Sequence, residues 1–148
     1  MANIIGNNFP NLLRGTNGPD VIKGLGSLDA LYGLGGNDKL YGGTGNDLVF
    51  GGKGHDKLWG NSGNDLFRFK IGDGFQNSGT GKWDDVVYDY QDNKDAFDVP
   101  GAGGFGGLTI VKIFDGPQGT GTQVTFDGTT SGFFVKNFVG NFSADDFI

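Results

Sequence analysis

Residues Gly15 to Arg68 read GTNGPDVIK, GLGSLDALY, GLGGNDKLY, GGTGNDLVF, GGKGHDKLW and GNSGNDLFR, six uninterrupted units of nine residues. Each opens with glycine (Gly15, Gly24, Gly33, Gly42, Gly51, Gly60) and has aspartate at its sixth position (Asp20, Asp29, Asp38, Asp47, Asp56, Asp65). The eighth position is always apolar: Ile22, Leu31, Leu40, Val49, Leu58, Phe67. A flexible Gly- and Asn-rich linker has no reason to hold a strict period with an apolar eighth residue. Each unit therefore reads as a six-residue turn followed by a three-residue strand. Strand side chains alternate, so position 8 faces one way and positions 7 and 9 the other. Two units close one coil, with position-8 residues meeting inside. The pattern predicts an all-β fold, a parallel β-roll whose coils stack at the strand spacing of ~4.8 Å.

This geometry places Asp20, Asp38 and Asp56 along one edge and Asp29, Asp47 and Asp65 along the other. Carboxylates ~5 Å apart repel by roughly 0.8 kcal/mol even in water, and by more where water is excluded. A hard divalent cation removes that cost. Calcium takes 6–8 oxygens from carboxylates and backbone carbonyls, and stacked turns supply both, with Gly33, Gly42 and Gly51 as carbonyl donors. Other phosphate- or metal-binding loops do not fit. The Walker and dinucleotide glycine motifs are missing, and an EF-hand needs a glutamate, whereas all 17 acidic residues here are aspartate. The second unit departs most, with Leu25 at position 2 and Ser27 at position 4; Leu34 stands at position 2 of the third. The Asp29 turn is expected to be the weakest site.

Six consecutive units of this kind resemble the RTX family of calcium-binding nonapeptide repeats, which implies a right-handed roll that folds on Ca2+ and is exported to the extracellular medium. Over nearly its whole length the chain also resembles the R-modules of secreted mannuronan C-5-epimerases. That likeness implies a non-catalytic accessory module, binding an acidic polysaccharide such as alginate for a covalently attached catalytic domain. The alternative is a purely structural folding and export element of a protease, lipase or adhesin. The last residues, Ser143 to Ile148, resemble the acidic-then-apolar ends of type I export substrates. They read equally as a final helical turn capped by Ser143 with Phe147 in the core.

Three segments follow: residues 1–14 as a capping coil, 15–68 as the six repeats, and 69–148 as a C-terminal β region packed on the roll. The cap keeps Leu13 at position 8 but has Asn11 where aspartate belongs. In the C-terminal segment, 11 of the 14 phenylalanines lie at Phe69 or beyond. Leu108 to Phe114, Gln123 to Phe126 and Phe133 to Val135 read as strands, and Asp73 to Asp84 as a surface loop. The likeness to secreted RTX proteins makes Asp85, Asp89, Asp95 and Asp98 further candidate metal ligands.

Outward positions of the even units (Ala30, Tyr32, Leu48, Phe50, Leu66, Arg68) are nearly all apolar, a face expected to be covered by the C-terminal half. The odd units carry Val21, Lys23, Lys39, Tyr41, Lys57 and Trp59. Lys23, Lys39 and Lys57 interleaved with Tyr41 and Trp59 suit an acidic sugar: ammonium groups for carboxylates, ring faces for the pyranose. The bland alternative is a solvated sheet whose lysines discourage edge pairing. The formal charge of −6 argues against a nucleic-acid partner. The lone His55 has no cysteine or glutamate to work with, so no catalytic constellation is read. The chain has no apolar run long enough for a membrane span and no leader-like basic and apolar start; it is expected to be a secreted monomer.

Overall fold

A computed structural model describes residues 1–70, 85–92, 94–100, 108–116, 119–126, 132–138 and 141–148. Its strands are β1 (Asn3–Ile5), β2 (Leu12–Arg14), β3 (Val21–Gly26), β4 (Ala30–Gly35), β5 (Lys39–Thr44), β6 (Leu48–Lys53), β7 (Lys57–Ser62), β8 (Leu66–Arg68), β9 (Asp85–Val87), β10 (Ala96–Asp98), β11 (Leu108–Gly116), β12 (Gly119–Phe126) and β13 (Gly132–Lys136). They form two sheets, ordered β1-β3-β5-β7-β9-β13-β12-β11 and β10-β8-β6-β4-β2. Odd units thus build one wall of a parallel β-roll and even units the other. Within the repeats the register advances by one coil at a time: Val21 pairs with Lys39 and Lys39 with Lys57, while Ala30 pairs with Leu48 and Leu48 with Leu66. The three C-terminal strands fall where expected, each longer than anticipated.

All six position-8 side chains have no exposed surface. They form a ladder one residue wide on each wall, topped by the partly buried Ile4 and Leu13. Beyond Phe67 the ladder broadens into an aromatic cluster: Phe69 stacks on Phe133 at 3.9 Å, and Phe97 touches Phe67, Tyr90, Phe142 and Phe147. The chain ends in a 3-10 turn, Ala144–Asp146. Ser143 N–H and Oγ both donate to Asp146 Oδ2, at 2.6 and 3.0 Å. Phe147 is buried, and Ile148 N–H donates to the Phe97 carbonyl at 2.9 Å.

None of the described C-terminal strands lies across the even face as a cover. Ala30, Tyr32, Leu48, Phe50, Leu66 and Arg68 are half-buried, and the described C-terminal strands extend the roll lengthwise: β9 continues β7 and β10 continues β8, both in parallel. Two reasons favour this placement. The unpaired backbone groups along β7 and β8 need partners. In addition, Asp56 N–H and Asp65 N–H donate to the carboxylates of Asp85 and Asp95, each at 3.0 Å. The anticipated loop from Asp73 to Asp84 lies outside the described residues.

Candidate calcium centres

The aspartates form two continuous ladders, held by their own backbone. Asp20 N–H donates to Asp38 Oδ1 and Asp38 N–H to Asp56 Oδ1, both at 2.8 Å. On the other edge Asp29 N–H donates to Asp47 Oδ1 and Asp47 N–H to Asp65 Oδ1, at 2.8 and 2.9 Å. One oxygen of each carboxylate thus stitches a coil to the one before it. The second oxygen is different. Asp29, Asp38, Asp47 and Asp65 each have a buried Oδ2 that accepts no hydrogen bond. A buried anionic oxygen without a partner is costly, and four in equivalent positions mark a repeated need for a cation.

The position-1 glycines complete each site. A β-carbon built on Gly24 would run into Asp29 Oδ2 and the Gly42 carbonyl; on Gly33, into Asp38 Oδ2 and the Gly51 carbonyl; on Gly42, into Asp47 Oδ2 and the Gly60 carbonyl. Glycine here keeps open a cradle where a carboxylate oxygen and a carbonyl oxygen of the next coil converge. Among the described residues no group of three or more His, Cys, Asp or Glu side chains comes together. A metal here draws on single carboxylates and backbone carbonyls, an all-oxygen set that suits calcium and not zinc.

The carboxyl groups respond to this enclosure. Burial, reinforced by neighbouring aspartates, pushes Asp38 and Asp47 up to about 6 and Asp65 up to about 7. Burial also raises Asp29 and Asp95. Asp20 is the exception: hydrogen bonds from the Ala2 N–H and from Thr16 hold it below the usual carboxylate range. Thr16 gives Asp20 Oδ2 both its N–H (2.6 Å) and its hydroxyl (2.8 Å). The first aspartate is satisfied by protein, a consequence of Thr16 at position 2 that the repeat pattern hides.

The four C-terminal candidates separate. Asp85 and Asp95 continue the two ladders. Asp89 accepts the amides of Gly60 and Asn61 at 2.9 and 2.8 Å, capping the last turn. Asp98 does not join the centres: it pairs with Arg68 at 2.5 Å on the outer face of the second wall.

The model of the RTX calcium-binding nonapeptide repeat matches residues 5–40, 32–67 and 41–75. Among solved structures, the AlgE6R3 subunit of Azotobacter vinelandii mannuronan C5-epimerase is 31% identical with a TM-score of 0.57, covering 97% of this chain and 80% of its own. The chain belongs to the RTX calcium-binding repeat family. The AlgE6R2 subunit of the same enzyme is 29% identical, covering 98% of this chain and 91% of its own, with a TM-score of 0.45. Comparison with curated proteins finds no significant match.

On the odd face of this RTX roll, the five residues singled out from sequence share one surface, with Lys23, Lys39 and Lys57 exposed. Their arrangement alters the expected chemistry. Tyr41 stacks on Trp59 with centroids 4.5 Å apart and planes 13° apart, and Trp59 stacks on Tyr88 at 4.4 Å and 17°. Lys23 Nζ lies 5.9 Å from the Tyr41 centroid, and Lys136 Nζ lies 5.1 Å from that of Tyr88. The ring faces are spent on one another and on the two terminal cations, so they are not free for a pyranose as expected. What faces outward is ring edges and ammonium groups. Tyr88 and Lys136 were missed, although Asp85-Val86-Val87-Tyr88 repeats the last four positions of a unit and so places Tyr88 at position 9.

Proposed function

We propose that this chain is a non-catalytic extracellular module that folds on calcium and binds an acidic polysaccharide of the alginate class for an attached enzyme. The metal part of the reading rests on the Oδ2 atoms of Asp29, Asp38, Asp47 and Asp65, with the Gly42, Gly51 and Gly60 carbonyls as partners. Asp56, Asp85 and Asp95 extend the same edges. The polysaccharide part rests on one observation, the row Lys23–Tyr41–Trp59–Tyr88–Lys136 beside Lys39 and Lys57. The stacked rings hold the surface flat and stiff, and the lysines along it offer charges to a chain of carboxylates. Residues Val21, Lys23, Lys39, Tyr41, Thr44, Asn61 and Ser62 line an open groove on this surface. The epimerase origin of the similar R-module supports an alginate-like ligand.

Exposed lysine–carboxylate contacts are worth only ~0.2–1 kcal/mol each, so binding needs several of them along an extended chain. The test is titration of the calcium-loaded protein with uronate oligomers of increasing length, in a Trp83→Phe background that leaves Trp59 as the reporter. Amide shifts at Lys39 and Lys57 that grow with oligomer length and fall with salt support the reading. A Lys23→Ser, Lys39→Ser, Lys57→Ser variant that keeps its calcium-bound fold and also keeps full binding overturns it, leaving the structural calcium module.

A further inference from the structure

Three columns of side chains face outward on the odd wall. Burial alternates along β3 from Val21 to Gly26, so positions 7, 9 and 2 of each unit point away from the core. Position 7 holds Val21, Lys39 and Lys57, and position 9 holds Lys23, Tyr41 and Trp59. Position 2 holds Leu25, Gly43 and Asn61, aligned because Leu25 pairs with Gly43 and Gly43 with Asn61. All three have left-handed backbone, at φ 87, 123 and 69. Glycine and asparagine tolerate that conformation; a leucine rarely adopts it. Gly43 can carry no side chain, because a β-carbon there would run into the Leu25 carbonyl. A notch therefore stands between Leu25 and Asn61, whose backbones lie two strand spacings, ~9.6 Å, apart.

The notch is one end of the groove on this face. That groove, about 670 Å3 in volume, runs along the strands from Val21 and Lys39 to Thr44 and Ser62, passing Tyr41. Its two ends differ. One presents the exposed ammonium groups of Lys23 and Lys39. The lining residues of the other carry no charge: Leu25, 45% exposed, faces the exposed polar groups of Thr44, Asn61 and Ser62. Building on the acidic-polysaccharide reading, we infer that the notch is a subsite for an acetyl ester on the bound uronate chain, with Leu25 as the residue that selects for it. A sugar carboxylate sits at Lys23 and Lys39. A second carboxylate in the notch would meet leucine and no cation, and a bare hydroxyl against Leu25 would lose water without gaining a partner. An acetyl group suits both sides. Its methyl packs on Leu25, and its carbonyl oxygen accepts from the Asn61 amide or the neighbouring hydroxyls. A ligand-facing role also accounts for a leucine standing where glycine would avoid the backbone strain.

The experiment compares mannuronate oligomers of one length, O-acetylated or stripped of acetyl by mild alkali, binding to the calcium-loaded full chain in calorimetry. The parent should bind the acetylated form roughly threefold to fourfold more tightly, the gain from burying one methyl group. Amide shifts at Gly43 and Asn61 should be larger with that form. Leu25→Gly should erase the preference and leave affinity for the deacetylated form unchanged. Leu34→Gly is the control, because Leu34 is left-handed at φ 78 and comparably exposed but lies on the opposite wall; it should keep the preference. Equal affinity of the parent for both forms overturns the proposal and leaves the acidic-polysaccharide reading standing. A preference that survives Leu25→Gly, or that Leu34→Gly also loses, overturns it as well. Binding of neither form fails the acidic-polysaccharide reading itself, and this inference with it.

Discussion

The repeats and the C-terminal half solve one problem with different materials. From Ile22 to Leu58 the interior is one row of aliphatic side chains on each of two walls, too thin to offset the entropy of ordering so many glycines. Its turns, meanwhile, hold buried carboxylate oxygens with no partner inside the protein. Beyond Phe67 the interior is a block of interlocked rings around Phe97, and its buried acid is satisfied internally: Asp146 accepts from the Tyr90 hydroxyl and from Ser143. The first region needs a cation to be whole. The second needs the first as a template, because β9 and β10 continue the roll by pairing in parallel with β7 and β8, strands that the repeats provide.

Calcium removal is expected to have the largest effect. In excess chelator at neutral pH the roll should lose most of its β-sheet signal in far-UV circular dichroism and regain it at millimolar calcium. The aromatic half should unfold with it. Full sheet content in chelator would break the distinction between the regions. Acid should partly substitute for the metal, because Asp38, Asp47 and Asp65 have folded-state pKa values of about 6, 6 and 7, raised from 3.8. Groups raised in this way favour the folded state fully below the unfolded value and lose that contribution as pH rises through the folded value. Calcium-free protein should therefore hold more structure near pH 5 than near pH 8. Calcium, which requires the ionised form, should stabilise more at pH 8.

Phe97→Ala should come next, costing about 3–5 kcal/mol, the usual range for a buried aromatic. It should leave the number of calcium ions bound unchanged, because Phe97 touches rings and no cradle. A variant that bound fewer ions would mean that the two regions share their sites.

How far each region can be read from sequence follows from the same difference. The repeats have one residue type per structural role, so the ladders, the inward position 8 and the open glycine cradles follow from period and sterics. The C-terminal half keeps only fragments of the code, in Asp85-Val86-Val87-Tyr88 and Asp95-Ala96-Phe97-Asp98. Each has the unit's last four positions without its glycine turn, and the coil offset grows from 18 residues to 29 and 30. Read in that frame, Asp85 and Asp95 sit at position 6 and join the ladders. Asp98 sits at position 9, faces outward and meets Arg68. The apolar even face is ambiguous in sequence, because a row of Leu and aromatic side chains looks the same whether another layer covers it or it half-covers itself, as Tyr32 does with Phe50 at 6.1 Å.

Within the ladders, Asp47→Ala and Asp20→Ala separate a metal aspartate from a satisfied one. Asp47→Ala strands the Asp29 amide, worth ~1–3 kcal/mol, and removes the carboxylate of one cradle. Calorimetry should find fewer calcium ions bound and a higher calcium midpoint for folding. Asp20→Ala should leave the calcium stoichiometry intact, since Thr16 and Ala2 already occupy its oxygens. Equal losses from both variants would place a metal at the Asp20 turn.

The smallest effect concerns the turn expected to be weakest. Leu25 and Ser27 hold left-handed backbone at φ 87 and 80, yet the Asp29 cradle is formed like its neighbours. The irregular sequence is thus registered as backbone strain and not as a missing site. A left-handed non-glycine residue costs roughly 1–2 kcal/mol, and glycine gives part of that back through its greater freedom in the unfolded chain. Leu25→Gly should therefore stabilise the calcium-bound protein by no more than about 1 kcal/mol, since the leucine side chain, 45% exposed, also buries apolar surface that glycine would forfeit. The reverse change one coil away, Gly43→Leu, should destabilise by more, because a β-carbon on Gly43 would press on the Leu25 carbonyl. Thermal melts of the two variants in calcium measure both signs. A Leu25→Gly protein less stable than the parent would mean that packing of this leucine outweighs its backbone strain.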